Sequence, residues 1–260
     1  MTRVVDTKLL FLRLLRTLDV QFVCEVGSLD GRDALRFRRT LTTADIVALE
    51  PNPSNYLGMR ADAALANARI ELVPAAAADF DGEAPFHLVS APPGPEERSR
   101  RGMSSLLKRH DPRFDGPSIR TRVLRLDSLL AARVRDRRLA LWIDSEGSAF
   151  ETLSGASGIA PWVQLLHVEV ESVPCIGARQ RLYGEVVQLL QGWGFVEVAT
   201  NARPDAPQFD AVFARRDASA ATRLRIAFWL LALRARRALI AIVAALCAGC
   251  LHRWRERSRR

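Results

Sequence analysis

Seven short apolar runs recur along the chain with helix-length stretches between them: Phe22–Val26, 46–49, 70–73, 139–143, 165–170, 195–199 and 210–214. Continuous apolar runs of this length read as strands covered on both faces, and their spacing predicts βαβ units and a mainly parallel sheet. Residues 55–68, 149–155 and 182–193 read as helices, the last stopped at Gly194. The final two runs are joined through Pro204 and Pro207, which predicts an antiparallel hairpin at the sheet edge. A chain of 260 residues suits one such α/β domain with additions.

The predicted organisation is a leading amphipathic helix over residues 1–20, a main domain over 21–216 and a helical tail over 217–260. In the leading helix Lys8, Arg13, Arg16 and Asp19 fall on one side, with Leu10, Phe11, Leu14 and Leu18 on the other. Those charges interrupt any signal-peptide core, so the expected compartment is the cytoplasm. Within the main domain, 91–118 is dense in Pro, Gly, Arg and Glu and reads as a surface loop or a substrate-covering lid. The four cysteines, with Cys24 in a strand and Cys247 and Cys250 in an apolar run, do not form a disulfide framework.

The net charge of +9 lies entirely in the tail, where ten arginines stand against one acid, Glu256, leaving 28 bases and 28 acids before Arg223. A neutral body excludes a nucleic-acid partner for the main domain. The tail also carries an apolar run over 238–251 whose 14 residues span about 21 Å as a helix, short of the ~30 Å hydrocarbon core. We read residues 223–260 as an interfacial helix whose arginines meet anionic headgroups, peripheral on the cytoplasmic membrane face. The other reading is a helix buried against the domain or in a homodimer.

Chemistry concentrates where the first strand ends, in Glu25-Val26-Gly27-Ser28-Leu29-Asp30-Gly31. Ligands of parallel sheets sit beyond the carboxyl ends of the strands, and glycines there admit a close approach to the backbone. E-x-G-x-x-x-G lacks the three glycines of the dinucleotide fingerprint and suits a nucleoside without a pyrophosphate. The second strand ends in Glu50, 19 residues past Gly31, about the spacing of an acid that accepts from ribose hydroxyls.

Four blocks in order, Glu25 to Gly31, Glu50-Pro51-Asn52-Pro53-Ser54-Asn55-Tyr56, Leu126-Asp127-Ser128-Leu129 and Leu141-Trp142-Ile143-Asp144-Ser145-Glu146-Gly147, resemble the FkbM family of methyltransferases over roughly residues 22–215. The resemblance implies a Rossmann-like class I fold, a seven-stranded sheet flanked by helices, and S-adenosylmethionine as cofactor. It implies that Glu25, Gly27, Ser28 and Gly31 line the methionine end and that Glu50 and Pro51 meet the ribose with Asn52 and Asn55 nearby. Ala76 and Ala77 would border the adenine, and Asp144 the methyl group. Glu25 stands where an Asp is usual, and Ser148-Ala149-Phe150-Glu151 departs from the expected continuation.

Methyl transfer to a hydroxyl needs positioning, exclusion of water and a nearby base, for which Asp144 is the first candidate, followed by Glu146 and Glu169. Blander readings stand beside these: Asp144 and Glu146 as caps of the next helix, Glu169 and Glu171 as a solvated strand end, and His167 as a satisfied core histidine. His110 reads as a surface residue, and Trp142, Trp162 and Trp193 as core. Asp144, Glu146 and Glu169 could together hold a divalent metal in principle, but no tight ligand spacing supports one. The expected function is O-methylation of a small-molecule, sugar, glycan or lipid-linked acceptor. A non-catalytic membrane-associated module and a nicotinamide-dependent oxidoreductase are the alternatives.

Overall fold

The computed structural model describes residues 5–90, 94, 96–203 and 205–257, and for residues 237 and 240–257 the backbone alone. Helix α1 (Thr7–Thr17) is capped by Asp6, whose carboxylate accepts from Leu9 N–H at 2.9 Å. Strand β1 (Phe22–Val26) is followed by α2 (Arg32–Thr40) and β2 (Asp45–Leu49). The expected single helix over 55–68 is broken into α3 (Pro53–Ala61) and α4 (Ala63–Asn67). The break lies at Asp62, which adopts an extended backbone and caps α4 by accepting from Ala64 N–H at 2.7 Å. Its hydrogen bonding outweighs the helix propensity of the alanines around it.

Next come β3 (Glu71–Val73), β4 (Ala76–Ala77), β5 (Gly82–His87), α5 (Glu97–Gly102), β6 (Ser118–Leu124), α6 (Leu126–Val134) and β7 (Leu139–Ile143). The chain ends with α7 (Ala149–Ser154), β8 (Val163–Glu171), α8 (Tyr183–Gly192), β9 (Phe195–Thr200), β10 (Gln208–Arg215) and α9 (Ala220–Arg257). Strands β3-β2-β1-β7-β8-β10-β9 form one seven-stranded sheet, parallel except for β10. This is the Rossmann-like class I methyltransferase fold expected above, with its antiparallel hairpin at the edge.

Alternate side chains of the central strands serve two cores. Phe22, Cys24 and Val26 pack with α6, α7 and α8, while Val23 packs with α1, α2 and α9. Both faces are therefore covered, and each strand reads as a continuous apolar run. On the α1 side Phe11 is fully buried and meets Phe37, Trp142 and His167 edge-on at centroid distances of 5.7, 5.2 and 5.8 Å. The charged side of α1 is not all solvent: Lys8 lies 3.7 Å from Asp33 and 5.2 Å from the Trp142 ring. Leu18 is the C-cap and Asp19 takes a left-handed backbone beyond the helix.

A second, three-stranded sheet, β4-β6-β5, has no counterpart in the sequence reading. Its strands are short or carry charges at alternate positions, as in Ser118–Leu124, and escape a search for apolar runs. Strand order reverses between β1 and β7, the switch point at which a crevice opens above the carboxyl ends of such sheets. Among the described residues no helix is long and apolar enough to cross a membrane. The side chains of 240–251, which carry most of the tail's apolar run, lie outside the described residues, as do those of Cys247 and Cys250.

Removing the Phe11 ring should leave an apolar void shared by α1, α2 and the sheet. Phe11→Ala is expected to lower the free energy of unfolding by about 3–5 kcal/mol in urea denaturation followed by circular dichroism.

Candidate active site

A cavity of about 410 Å³ opens over the carboxyl ends of β1, β2 and β7, within the size range of small-ligand sites. Gly27, at φ +82, makes the turn out of β1, and a Cβ there would stand 1.8 Å from the Asp144 carbonyl oxygen. Only glycine allows the ends of β1 and β7 to meet this closely, with Asp144 N–H donating to the Val26 carbonyl at 2.9 Å. Val26, Gly27 and Leu29 form one wall of the cavity.

Glu50 stands at its base. One carboxylate oxygen accepts from Leu29 N–H at 2.6 Å, and the other from Asn52 N–H at 2.8 Å and Asn55 Nδ2 at 3.3 Å. The side chain thus ties the glycine turn to the turn after β2. Burial pushes its carboxyl up to about 7, against the hydrogen bonds from Asn52 and Leu29 that favour the charged form. Helix α3 is capped by Asn52, which accepts from Ser54 N–H at 3.0 Å, so Glu50 is not the cap of that helix.

Several expected cofactor residues lie elsewhere. Glu25 is buried on the α1 side beneath the turn and accepts from Ser28 Oγ at 2.9 Å; neither residue lines the cavity. Burial and the nearby Asp33 raise the Glu25 carboxyl well above the ordinary range. Gly31 begins α2 with a left-handed backbone, and a Cβ on it would press on Leu65 at 2.7 Å, so it serves helix packing. Asn52 is spent on its cap. Pro51, Asn55, Ala76 and Ala77 do line the cavity.

The opposite wall is acidic. Asp144 and Glu146 follow β7, Glu169 lies in β8, and all three border the cavity with one oxygen of each within 4.8 Å of the others. Ser148, not either acid, occupies the N-cap of α7. Glu146 has a left-handed backbone at φ +48, which in a non-glycine residue stores strain at a turn. Burial, together with the acids around it, raises the carboxyls of Asp144 and Glu169. Burial also raises Glu146, opposed by Arg109, whose Nη2 donates to it at 2.6 Å.

Gln208 reaches across from β10 and its Nε2 contacts Glu169 at 2.7 Å, Glu171 at 3.2 Å and Glu146 at 3.4 Å. Glu169 and Glu171 are therefore not a solvated strand end, and burial lifts Glu171 to about 7. The spacing of the three cavity acids is one a divalent cation could bridge, a cluster with no signal in the sequence spacing. Gln208 and Arg109 occupy part of that donor set, however.

The segment 96–117 covers this wall. Arg98, Ser99, Arg101, Met103, Ser104 and Leu106 face the cavity, and Ser105 Oγ donates to the Glu146 carbonyl at 2.6 Å. Arg98 pairs with Asp30 at 2.7 Å, which joins this segment to the turn after β1. The stretch read as a surface loop or lid thus carries α5, a 3-10 turn at Pro112–Phe114 and a bridge between His87 and Ser105.

Sequence reasoning missed Gln208 and the arginines of this segment. Gln208 precedes the apolar part of its strand, and the arginines resemble solvated charge; the acid-ended strands facing them were the available signal. Asp127 also proves structural, accepting from Ile159 N–H at 3.0 Å and from Arg125 at 2.8 Å. His167 is core, as expected, but neither ring nitrogen has a hydrogen-bond partner among the described residues. It stacks on Trp142 at 3.7 Å, and burial holds it well below its ordinary range.

Three side chains that line the cavity carry a buried polar atom with no hydrogen-bond partner among the described residues: Asn55 Oδ1, Ser145 Oγ and Arg101 Nε. Buried polar atoms ordinarily find partners, so an acceptor, a hydroxyl and a donor are left for a polar ligand. Together with the Gly27 approach and the Glu50 carboxylate, this donor set fits a nucleoside carrying an amino-acid end.

The Methyltransferase FkbM domain family matches residues 25–197. The sequence matches no curated protein. Among solved structures, the precorrin-6y methyltransferase of Geobacter metallireducens aligns at 12% identity, covering 81% of this chain and 87% of its own, with a TM-score of 0.41. The magnesium protoporphyrin IX methyltransferase of Synechocystis, solved with bound SAM, aligns at 10% identity over 80% of this chain and 78% of its own, with a TM-score of 0.42.

A glutamate raised toward neutrality binds more protons in the folded than in the unfolded state. Its contribution is fully present below the ordinary glutamate range near 4.5 and is lost as pH rises through about 7. Glu50→Gln should remove this part of the pH dependence. Across that window the wild type is expected to lose on the order of 3 kcal/mol relative to the variant, read from urea midpoints at a series of pH values.

Proposed function

The chain belongs to the FkbM methyltransferase-domain family, and from that premise we propose that it transfers a methyl group from S-adenosylmethionine to a hydroxyl on a sugar, glycan or lipid-linked acceptor. We take residues 21–216 as the catalytic domain, with 96–117 as its cover and α1 and α9 as additions.

The observation that carries this reading is the one cavity shared by Glu50 at its base and Asp144 on its acidic wall. One, just past β2, is the acid we assign to the ribose hydroxyls; the other, just past β7 on the far side of β1, is an acid with its carboxyl raised by burial. Bound S-adenosylmethionine supplies an electrophilic methyl carried on a sulfonium. Glu50 with Asn55 would hold the ribose, Gly27 and Leu29 would admit the methionine end along their backbone, and Ala76 and Ala77 would border the base.

Asp144 serves as general base. Its removal from water, with Glu146 and Asp210 nearby, brings its affinity for a proton up against the hydrogen bond with Glu169 that lowers it. The group can therefore take a proton from an alcohol as that oxygen bonds the methyl carbon and the carbon–sulfur bond breaks. Glu169, fixed by Gln208, is the second candidate, and Glu146, neutralised by Arg109, the third. The cover formed by 96–117 excludes water from this step, and its Arg98 and Arg101 bring positive charge to the wall facing the acids.

Two substitutions test the two halves. Glu50→Ala should weaken S-adenosylmethionine affinity by at least about tenfold in isothermal titration, since it removes a charged acceptor from a buried site. Asp144→Asn should retain that affinity and slow transfer of labelled methyl into a fractionated lysate by about 10²–10⁴-fold. Unchanged affinity in the first variant would mean that the ribose lies elsewhere; unchanged transfer in the second would remove Asp144 as base.

A further inference from the structure

Helix α9 is apolar on two opposite sides. Ile226, Leu230 and Leu233 are buried against α1 and the sheet, and Trp229 Nε1 donates to Thr17 Oγ1 at 3.2 Å while Arg13 stacks over its ring at 5.0 Å. That face is fully accounted for. On the other side Leu224, Phe228, Leu231 and Leu239 are 72%, 60%, 65% and 61% exposed. They are four of the seven large apolar side chains exposed among the described residues, so the helix holds most of that surface.

At about 100° per residue these four, with Ala235, fall within an arc of about 80°. Arg225 and Arg236 border the arc on one side, and Arg223 and Arg234 lie beyond its other edge; all four are exposed. A helix with an outward apolar stripe between rows of arginine has the pattern of one lying in a membrane interface, its stripe at the acyl boundary and its cations among phosphates.

We propose that this face of α9 docks the protein on an anionic lipid surface, and the assignment stands independently of what the cavity binds. Charge decides the occupant. From residue 218 to residue 255 the chain contains no acid, so a second copy packed on the stripe would set arginine against arginine. Anionic headgroups instead neutralise both rows, with about 1 Debye length of reach that shortens as salt is added. The body contributes no net charge to this attraction, having as many bases as acids before Arg223.

The test is flotation of the full-length chain with phosphatidylcholine vesicles, with and without phosphatidylglycerol. Truncation is avoided because Ile226, Leu230 and Leu233 belong to the core. The wild type should float with the phosphatidylglycerol vesicles, stay at the bottom with phosphatidylcholine alone, and be released by added salt. Leu224→Ser/Phe228→Ser/Leu231→Ser and Arg225→Glu/Arg234→Glu/Arg236→Glu should each lose flotation while keeping the wild-type circular dichroism spectrum and S-adenosylmethionine titration, because every altered side chain is exposed. A wild type that fails to float, or variants that float as it does, would overturn the proposal. So would light scattering that finds a non-floating dimer converted to monomer by the apolar substitutions, which would assign the stripe to a second copy.

Discussion

Two strand ends meet at the centre of this molecule with no room between them for a side chain. A Cβ on Gly27 would overlap the Asp144 carbonyl at 1.8 Å, so the ends of β1 and β7 can meet this closely only because position 27 is glycine. From that contact follows the arrangement of the crevice. The turn after β1 folds back over β2, where Leu29 N–H finds the Glu50 carboxylate, and the turn after β7 sends Asp144 and Glu146 to the opposite wall. The groups proposed to hold the ligand and to take the proton thus follow β2 and β7, the two strands that flank β1, and share one backbone constraint.

The second consequence is electrostatic. Six carboxyl groups, those of Glu25, Glu50, Asp144, Glu146, Glu169 and Glu171, gather at the carboxyl end of the sheet, and burial raises every one of them. A protein interior does not hold that many negative charges together, so protons are retained near neutrality. Arg109 and Gln208 make the crowding tolerable, one by charge and the other by bridging three acids. Buried carboxyls with raised proton affinity of this kind cluster at functional sites. The same crowding offsets stability, which is the usual relation between a fold and its functional corner.

Much of the sheet was legible because strands covered on both faces must be apolar throughout, and helices between them must carry a stripe. All seven runs of the main sheet could be read on that basis, and so could the edge hairpin bearing its prolines. The small β4-β6-β5 sheet could not, since its strands alternate with charge or span two residues. In the site, Glu50 was legible from its spacing beyond the glycine turn. Glu25 was misread because a strand-end acid in sequence does not reveal its face: alternation along β1 turns Glu25 with Val23 toward α2, under the turn and away from the cavity. Gly31 was misread for a related reason, since helix packing and ligand approach both ask for a missing side chain. Gln208 and Arg109 escaped because their partners are acids far away along the chain, brought within reach only by the antiparallel register of β10 and the docking of 96–117.

The central claim is that the crevice between β1, β2 and β7 binds a sulfonium nucleoside, and equilibrium titration of the full-length protein measures it most directly. The account predicts saturable one-to-one binding of S-adenosylmethionine, displaced by S-adenosylhomocysteine, with no heat on adding NAD. Saturable binding of NAD without binding of S-adenosylmethionine, or no binding of either by folded protein, would contradict it.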